Sequence, residues 1–305
     1  MIRPRRLHPG DRIALVAPAS AFKPEDLEKG ADELRRLGFE PVVDDAIRLR
    51  GRFEAGPPEV RARVLHDAWR DPSIAALLAV RGGYGSQQLL PLLDVDLMRT
   101  ARKLLVGYSD ITALHCWSFQ HGMISLHGPM VEGRLAAGSC GYDESSFLGA
   151  ATRAEPLGRL EPSGVTSLVS GVAEGVITGG TLAQLVSMLG TPWSPEVPDG
   201  AILLLEDVGE RPYRIHRMLT QLQQAGVLAR AGALVLGEFP RCDEPGGEPA
   251  IADVLRDFVA GFPGPVIFGF PFGHTRGPAW SVPLGVRGRV ETDPPALTIT
   301  EAAVD

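Results

Sequence analysis

Short apolar segments alternate with amphipathic segments through the first 120 residues of the chain. Residues 74–80 form a continuous apolar run, which is typical of a strand buried on both faces of a parallel sheet. Residues 24–38 place Leu27, Ala31 and Leu34 at helical spacing on one face. Further strands are predicted at 12–18, 41–44 and 103–106, and further helices at 57–69, 86–93 and 110–120. The alternation predicts an α/β fold in which helices cover a parallel sheet.

The pattern changes after residue 122. Residues 138–162 are rich in Gly, Ser and Pro and have weak periodicity, apart from a short helical stretch near 144–152. Mixed elements follow, with strands predicted at 172–177, 202–206, 233–238, 266–270, 286–291 and 297–300 and helices at 181–189, 212–225 and 251–260. We therefore predict an N-terminal α/β domain at 1–137, a linker at 138–164 and a C-terminal mixed α/β domain at 165–305.

Charge and cysteine content narrow the class of protein. A net charge of −7 over 305 residues argues against nucleic acid as the main partner. The three cysteines form no C-x-x-C pair, and so sparse a count fits a reducing compartment. No segment approaches the ~20 apolar residues of a membrane span, and the apolar run at 13–17 is too short for a signal peptide. We expect a cytoplasmic protein with no membrane partner.

Residues 103–120 (KLLVGYSDITALHCWSFQ) read as a short strand, a tight turn and a helix. A serine at such a turn, here Ser109, lies at the carboxyl edge of the sheet and the N-terminus of a helix. Nearby backbone N–H groups can then stabilise an anion. This is a geometry for a nucleophile, although serine is also common as a helix N-cap. The turn is not G-x-S-x-G, because Ile111 stands where the second glycine would be, so an ordinary α/β-hydrolase fold is disfavoured.

The sequence Arg81-Gly82-Gly83-Tyr84-Gly85 follows the buried strand and should reach the same sheet edge, where ligands of open α/β sheets bind. An N–H group of this loop, together with that of Asp110, could form an oxyanion hole. The loop fits neither the Walker spacing nor G-x-G-x-x-G, so nucleotide binding has little support, and a plain turn is the alternative.

A nucleophilic serine needs a base and an acid to orient that base. Among seven histidines, His274 alone lies in a Gly/Pro-rich loop between two apolar strands. An apolar strand ends on Glu206, but Asp207 and Glu210 follow closely, and the residue pattern does not choose among the three carboxylates. No histidine or cysteine cluster has metal-ligand spacing, so we expect no metal.

Seven blocks, in order, resemble the serine LD-carboxypeptidase family, which includes the microcin C immunity peptidase. They are VAPAS at 16–20, RGGYG at 81–85, GYSDITALH at 107–115, HGP at 127–129, GGTLAQLVSMLGTPW at 179–193, LLLEDVGERPYRIHRML at 203–219 and PFGHTRGPAWSVPLG at 271–285. By that resemblance Ser109 matches the nucleophile, Glu206 the triad acid and His274 the general base, while Gly83 and Asp110 match the oxyanion hole. The resemblance further implies a Rossmann-like N-terminal domain, a C-terminal domain around a β-barrel-like sheet, and a homodimer.

The resemblance also implies the substrate. LD-carboxypeptidases release a terminal D-amino acid from cytoplasmic murein tetrapeptides, whereas the immunity peptidases cleave aminoacyl sulfamoyl adenylates. The short, tryptophan-free connection at 154–162 favours murein. Arg81 is a candidate for binding the terminal carboxylate of the substrate, and Tyr84 is a second candidate for substrate binding. His216 departs from the acidic residue more usual in the family at that point. We expect no cofactor, because a serine route needs none. A non-catalytic module that binds a peptide or nucleotide is a further alternative.

Overall fold

The computed structural model describes all residues, 1–305, and contains two β-sheets flanked by helices. The strands are β1 (Arg12–Val16), β2 (Glu40–Val43), β3 (Ile74–Ala79), β4 (Leu104–Gly107), β5 (Ser125–His127), β6 (Gly158–Leu160), β7 (Thr166–Val169), β8 (Val172–Thr181), β9 (Ala201–Glu206), β10 (Ala231–Leu236), β11 (Val266–Phe268), β12 (Val282–Leu284), β13 (Arg287–Thr292) and β14 (Pro295–Ile299). The α-helices are α1 (Pro24–Arg36), α2 (Pro58–Arg70), α3 (Val95–Ala101), α4 (Thr112–Gln120), α5 (Glu144–Thr152), α6 (Leu182–Ser187), α7 (Pro212–Gln224), α8 (Val227–Arg230) and α9 (Ile251–Val259).

The first sheet has six strands in the order β12-β5-β4-β3-β1-β2. Its five strands from β5 to β2 are parallel, as predicted from the alternation of strands and helices. Strand β3 is central and has the continuous apolar sequence IAALLA, nearly all of it buried between helices on both faces. The sixth strand, β12, comes from far along the chain and pairs antiparallel to β5. It is an addition to the predicted sheet.

The second sheet has eight strands in the order β6-β14-β13-β8-β9-β10-β11-β7. Strands β8 to β11 are parallel and the outer strands pair antiparallel, so the sheet is mixed. The sheet does not close, but it curls until its edge strand β7 nears the end of β13. There the Ser167 hydroxyl donates to the Thr292 carbonyl at 2.5 Å. The prediction of two α/β parts is confirmed, and the second part is built on a mixed sheet that is curled but open.

Several stretches of the chain differ from the predicted elements. The helix predicted at 86–93 is a run of 3-10 turns, Ser86–Leu92, because Pro91 lies inside it and lacks the N–H that an α-helix needs. The next helix, α3, was not predicted. The Asp94 side chain caps its N-terminus by accepting the Leu97 N–H at 2.9 Å. The stretch 138–164, predicted as a linker with a short helix near 144–152, contains that helix as α5 and, in addition, the unpredicted strand β6. The domain boundaries themselves stay a prediction.

The carboxyl ends of the parallel strands in the two sheets face each other. The Thr181 N–H, at the end of β8, donates to the Thr112 hydroxyl at the start of α4 at 3.1 Å. This approach is close enough that a Cβ at Gly180 would lie 2.6 Å from the Thr112 hydroxyl oxygen. The loops after β3, β4 and β9 are therefore gathered at one place. None of the helices combines the length and the apolar character that a bilayer span requires.

Candidate active site

Ser109 lies at the turn between β4 and α4, as its sequence context predicted. Its φ is +64°, in the left-handed region that residues other than glycine seldom adopt. A 3-10 turn, Ser109–Ile111, leads directly into α4. Strand β4 can end this tightly because Gly107 has no side chain; a Cβ there would lie 2.9 Å from an Ile111 carbon. Strained backbone of this kind clusters at functional sites because the surrounding structure must hold it in place.

The glycine loop after β3 packs directly on this turn. A Cβ at Gly82 would lie 3.0 Å from Ser109 Oγ and 3.2 Å from the Asp110 backbone nitrogen. Gly83 has a φ of +101°, and a Cβ there would lie 2.5 Å from Ser20 Oγ. Ser20 in turn accepts the Tyr84 N–H at 3.1 Å. Both glycines are therefore required by close approach, and the loop lies beside the Ser109 hydroxyl.

The Asp110 side chain links the turn at Ser109 to the end of the glycine loop. It is buried, and its Oδ2 accepts the Ser86 N–H at 2.7 Å. Burial raises the pKa of Asp110, against the hydrogen bonds from Ser86. The carboxylate thus ties the residue after Ser109 to the end of the glycine loop. Because its side chain accepts the Ser86 N–H, Asp110 could contribute to an oxyanion hole only through its backbone N–H.

Glu206, which is buried, and His274, which is partly exposed, form a hydrogen-bonded pair where β9 ends. Glu206 is fully buried, and its Oε2 accepts both the His274 backbone N–H at 2.9 Å and Nδ1 of the His274 ring at 2.8 Å. Its Oε1 accepts the Thr181 hydroxyl. An ionised carboxylate only accepts hydrogen bonds, so the ring proton lies on Nδ1 and leaves Nε2 free to take a proton. A Cβ at Gly273 would lie 2.7 Å from the Glu206 carboxyl carbon, which is why a glycine precedes the histidine.

The electrostatics of the pair favour ionisation of both partners. Burial alone would raise the pKa of Glu206, but the charge and hydrogen bond of His274, together with the hydrogen bond from Thr181, lower it. Burial would likewise lower the pKa of His274, but the charge and hydrogen bond of Glu206 outweigh burial and raise it. A raised histidine pKa suits a group that must accept a proton during a reaction near neutral pH.

The two other candidate carboxylates have different contacts. Asp207 accepts the backbone N–H of Ala183, in the first turn of α6, at 2.8 Å, and burial raises its pKa to about 7. Glu210 lies before α7 and pairs with Arg214 of that helix at 3.2 Å. The geometry thus distinguishes three carboxylates that the residue pattern left equivalent: among them, only Glu206 hydrogen-bonds the imidazole of His274.

Aromatic rings and a second histidine surround the pair. The Tyr108 ring, from the residue before Ser109, lies edge-on to the His274 ring with centroids 5.0 Å apart. His127 is fully buried, and neither of its ring nitrogens has a hydrogen-bond partner. Burial lowers the pKa of His127 to about 3, so this ring is neutral. The base therefore lies in a largely apolar environment, where the Glu206 charge acts strongly.

The two predicted substrate-binding residues occupy the outer part of the glycine loop. Arg81 donates to the Ala21 carbonyl at 2.5 Å and lies 3.5 Å from a Glu132 oxygen, so its guanidinium already has partners. Tyr84 is exposed and packs edge-on against the exposed Phe53, with centroids 6.0 Å apart. Both roles stay predictions.

No group of three or more His, Cys, Asp or Glu side chains comes together in a way that could hold a metal ion. A cavity of about 730 Å³ lies at the opposite edge of the first sheet and contains none of the predicted site residues. Sequence reasoning missed Ser20 and Thr181, which support the glycine loop and Glu206. Ser20 belongs to the block VAPAS and Thr181 to the block GGTLAQLVSMLGTPW. Membership of these two blocks was the one sequence signal that could have identified them.

Two family descriptions match this chain. Residues 13–128 match the LD-carboxypeptidase N-terminal domain, and residues 174–290 match the LD-carboxypeptidase C-terminal domain. The first matched segment contains Ser109 and the glycine loop. The second contains Glu206 and His274.

Individual proteins show the same similarity over the whole length. A Streptomyces coelicolor protein, whose provisional name is that of a carboxypeptidase, is 41% identical over 100% of this chain and 98% of its own. The muramoyltetrapeptide carboxypeptidase of Oxalobacter formigenes superposes with a TM-score of 0.82 at 30% identity, over 95% of this chain and 99% of its own. The microcin C7 self-immunity protein MccF, solved with aspartyl sulfamoyl adenosine, gives 0.90 at 25% identity over 100% of both chains.

Proposed function

We propose that this chain, which belongs to the LD-carboxypeptidase family, is a serine-type carboxypeptidase that releases the terminal D-alanine from murein tetrapeptides. In this proposal Ser109 is the nucleophile, His274 the general base and Glu206 the acid that orients it. The backbone N–H groups of Gly83 and Asp110 form the oxyanion hole. The murein substrate is supported by the name of the Oxalobacter formigenes relative.

One observation supports the mechanism above all. A buried carboxylate holds the His274 ring through Nδ1 at 2.8 Å, at the sheet edges where the backbone of Ser109 is strained. A histidine held in one tautomer by a carboxylate, near a serine beside free backbone donors, is the arrangement that serine hydrolases share across unrelated folds. The N-cap reading of Ser109 does not account for the His274–Glu206 pair.

The proposed reaction has two halves. Nε2 of His274 takes the hydroxyl proton as Ser109 Oγ attacks the carbonyl carbon before the terminal residue, and the Gly83 and Asp110 N–H groups stabilise the resulting oxyanion. The imidazolium, stabilised by Glu206, then gives its proton to the leaving amine of D-alanine as the C–N bond breaks. Water, deprotonated by His274, hydrolyses the ester on Ser109 and restores the serine.

A second substrate class has specific support. The fold superposes on the immunity protein with a TM-score of 0.90, and that protein was solved with an aminoacyl sulfamoyl nucleoside. We favour murein because the connection between α5 and β6 is short and lacks the tryptophan with which the immunity peptidases stack a nucleobase. The same triad could serve either substrate, since both reactions break an acyl–nitrogen bond.

Four substrates distinguish these possibilities. The protein is incubated with a murein tetrapeptide ending in D-alanine, its C-terminal amide, the tetrapeptide ending in L-alanine and an aspartyl sulfamoyl adenosine, and products are measured by mass spectrometry. We expect D-alanine from the first peptide alone, because a site that pairs with a free carboxylate loses much of its binding energy without it. Equal cleavage of all three peptides would indicate a general peptidase. Hydrolysis of the nucleoside alone would favour the immunity function, and no turnover of any would favour a binding module.

The proposal extends to the setting of the enzyme. Murein peptides returned from the wall are met inside the cell, so we propose a cytoplasmic role in murein recycling, consistent with the three unpaired cysteines. A homodimer and domain limits of 1–137 and 165–305 complete the proposal. Sedimentation velocity tests the first, and limited proteolysis tests the second.

A further inference from the structure

The Arg134 side chain donates hydrogen bonds to the loop that carries His274. Its Nη2 donates to the Gly273 carbonyl at 2.8 Å and to the Thr275 carbonyl at 3.3 Å, which are the carbonyls on either side of His274. Its Nη1 donates to the Gly277 carbonyl at 3.1 Å. One planar guanidinium thus fixes three points of a five-residue loop, using the rigid donor geometry that distinguishes arginine from lysine.

Arg134 is itself held firmly against the first sheet. Just before it, the Val131 N–H donates to the Ala79 carbonyl at 3.2 Å and the Glu132 N–H donates to the Val80 carbonyl at 2.8 Å, at the strand end that continues into the glycine loop. On its other side a Cβ at Gly141 would lie only 2.2 Å from the Arg134 carbonyl oxygen, so the backbones touch. The position of Arg134 is therefore set by the sheet edge that carries the glycine loop.

The same guanidinium stacks beside the candidate site. Its central carbon lies 5.7 Å from the centroid of the Tyr108 ring, the ring that packs edge-on against His274. Arg134 is only partly exposed, and its donors point to backbone carbonyls. An arginine used to bind a substrate carboxylate would instead keep its paired donors free for that group.

We infer that Arg134 is a positioning residue, which joins the part of the chain that carries Ser109 to the loop that carries His274. It thereby fixes the position of the His274 ring relative to the Ser109 hydroxyl, between which the proton moves in the proposed reaction. The inference rests on the proposed function for its catalytic meaning, although the contacts stand without it. Glu206 fixes the orientation of the ring, and Arg134 fixes where the loop lies relative to Ser109. Neither contact replaces the other.

The test compares Arg134→Ala with Arg230→Ala. Arg230 donates to the Val197 carbonyl at 2.5 Å and pairs with Asp199 at 3.3 Å near the start of β10, at the opposite edge of its sheet from Glu206. Its loss therefore controls for the removal of an arginine that holds a backbone carbonyl away from the candidate site. We expect kcat for D-alanine release to fall about 10²-fold in Arg134→Ala, because a misplacement of about 1 Å costs that much. KM should stay within about threefold, since substrate contacts are unchanged, and Arg230→Ala should keep the parent kcat. Added guanidinium chloride at millimolar concentration should recover kcat in Arg134→Ala alone.

A second readout does not depend on turnover. The proton on His274 Nδ1, hydrogen-bonded to Glu206, should give a low-field proton NMR signal in the parent and in Arg230→Ala. In Arg134→Ala the signal should broaden or disappear, because the loop shifts. If the parent releases no D-alanine, the proposed function fails, and the NMR comparison still tests the positioning role.

Three results would overturn the inference. They are a kcat in Arg134→Ala within threefold of the parent, a raised KM at unchanged kcat, and a lowered kcat with the low-field signal intact. The second would make Arg134 a substrate anchor. If Arg134→Ala does not fold, Arg134→Lys is judged by the same readouts. Its expected loss is about tenfold, since an ammonium cannot reproduce the planar fork.

Discussion

Replacing Glu206 with glutamine removes one negative charge from the candidate site and changes little else. In the parent, Oε2 accepts two N–H groups of His274 and Oε1 accepts the Thr181 hydroxyl. A glutamine can keep its carbonyl oxygen toward His274 and turn its amide N–H toward Thr181, whose hydroxyl then accepts instead of donating. The hydrogen-bond geometry survives, so the substitution isolates the effect of charge.

The size of that effect follows from the contact. When His274 takes the serine proton it becomes an imidazolium whose charge lies roughly 4 Å from the Glu206 carboxylate. At an effective dielectric constant of about 20 their attraction is about 4 kcal/mol. The parent gains this only after the proton moves, so the glutamine variant loses it from the transition state. Because ~1.4 kcal/mol corresponds to tenfold, kcat should fall about 10³-fold.

The assay is D-alanine release from the tetrapeptide by Glu206→Gln, with the melting temperature measured beside it to confirm folding. Asp207→Asn is the matched control, since it removes a neighbouring buried carboxylate that caps α6 rather than contacting His274. We expect the control to lose less than about tenfold in kcat, because its geometry leaves the imidazole contact intact. A kcat in Glu206→Gln within tenfold of the parent, or a greater loss in Asp207→Asn, would refute the reasoning.

Three further predictions concern the glycine loop, the pH dependence of activity and its independence of metal ions. Gly83→Ala should lower kcat about 10²–10³-fold, the usual cost of an oxyanion donor, since the new Cβ would lie 2.5 Å from Ser20 Oγ; Gly226→Ala, with a φ of +77° and nothing within 4 Å, should keep the parent rate. The acidic limb of kcat/KM should have its midpoint above the ordinary 6.5 of histidine, because the Glu206 charge outweighs burial in raising the pKa of His274, and activity is lost as pH falls through that midpoint. In Glu206→Gln the midpoint should move to lower pH. Exhaustive chelation should leave the parent rate unchanged, and loss with recovery on added zinc would indicate another mechanism.

The parallel core of the first sheet was predictable because its signals are local. A buried parallel strand needs a continuous apolar run, and residues 74–80 supply one. Strand β12 was not predictable, since it is three residues long, contains Pro283 and gains its identity only by pairing with β5. The helix predicted at 86–93 failed for a different reason, because one internal proline outweighed the apolar spacing around it.

The candidate site divides in the same way. Glu206 ends an apolar strand, while Ser109 lies in a turn and His274 in a loop next to apolar strands. These positions gave them a local signal, and the resemblance to the family assigned their roles. Arg134 gave no such signal, because its partners are backbone carbonyls far along the chain and any residue type can supply those. The residue pattern alone likewise did not choose Glu206 over Asp207, since adjacent positions at a strand end differ only in the direction of their side chains.

The most direct test of the account is the rate at which Ser109→Ala releases D-alanine from the tetrapeptide, measured beside the parent by quantitative mass spectrometry. The substitution removes one oxygen at a partly exposed turn, so the fold and melting temperature should not change. We expect release by the parent and a loss of ~10⁴-fold or more in the variant, as is typical when a member of a catalytic triad is removed. Release by Ser109→Ala at a rate near that of the parent would contradict the serine mechanism.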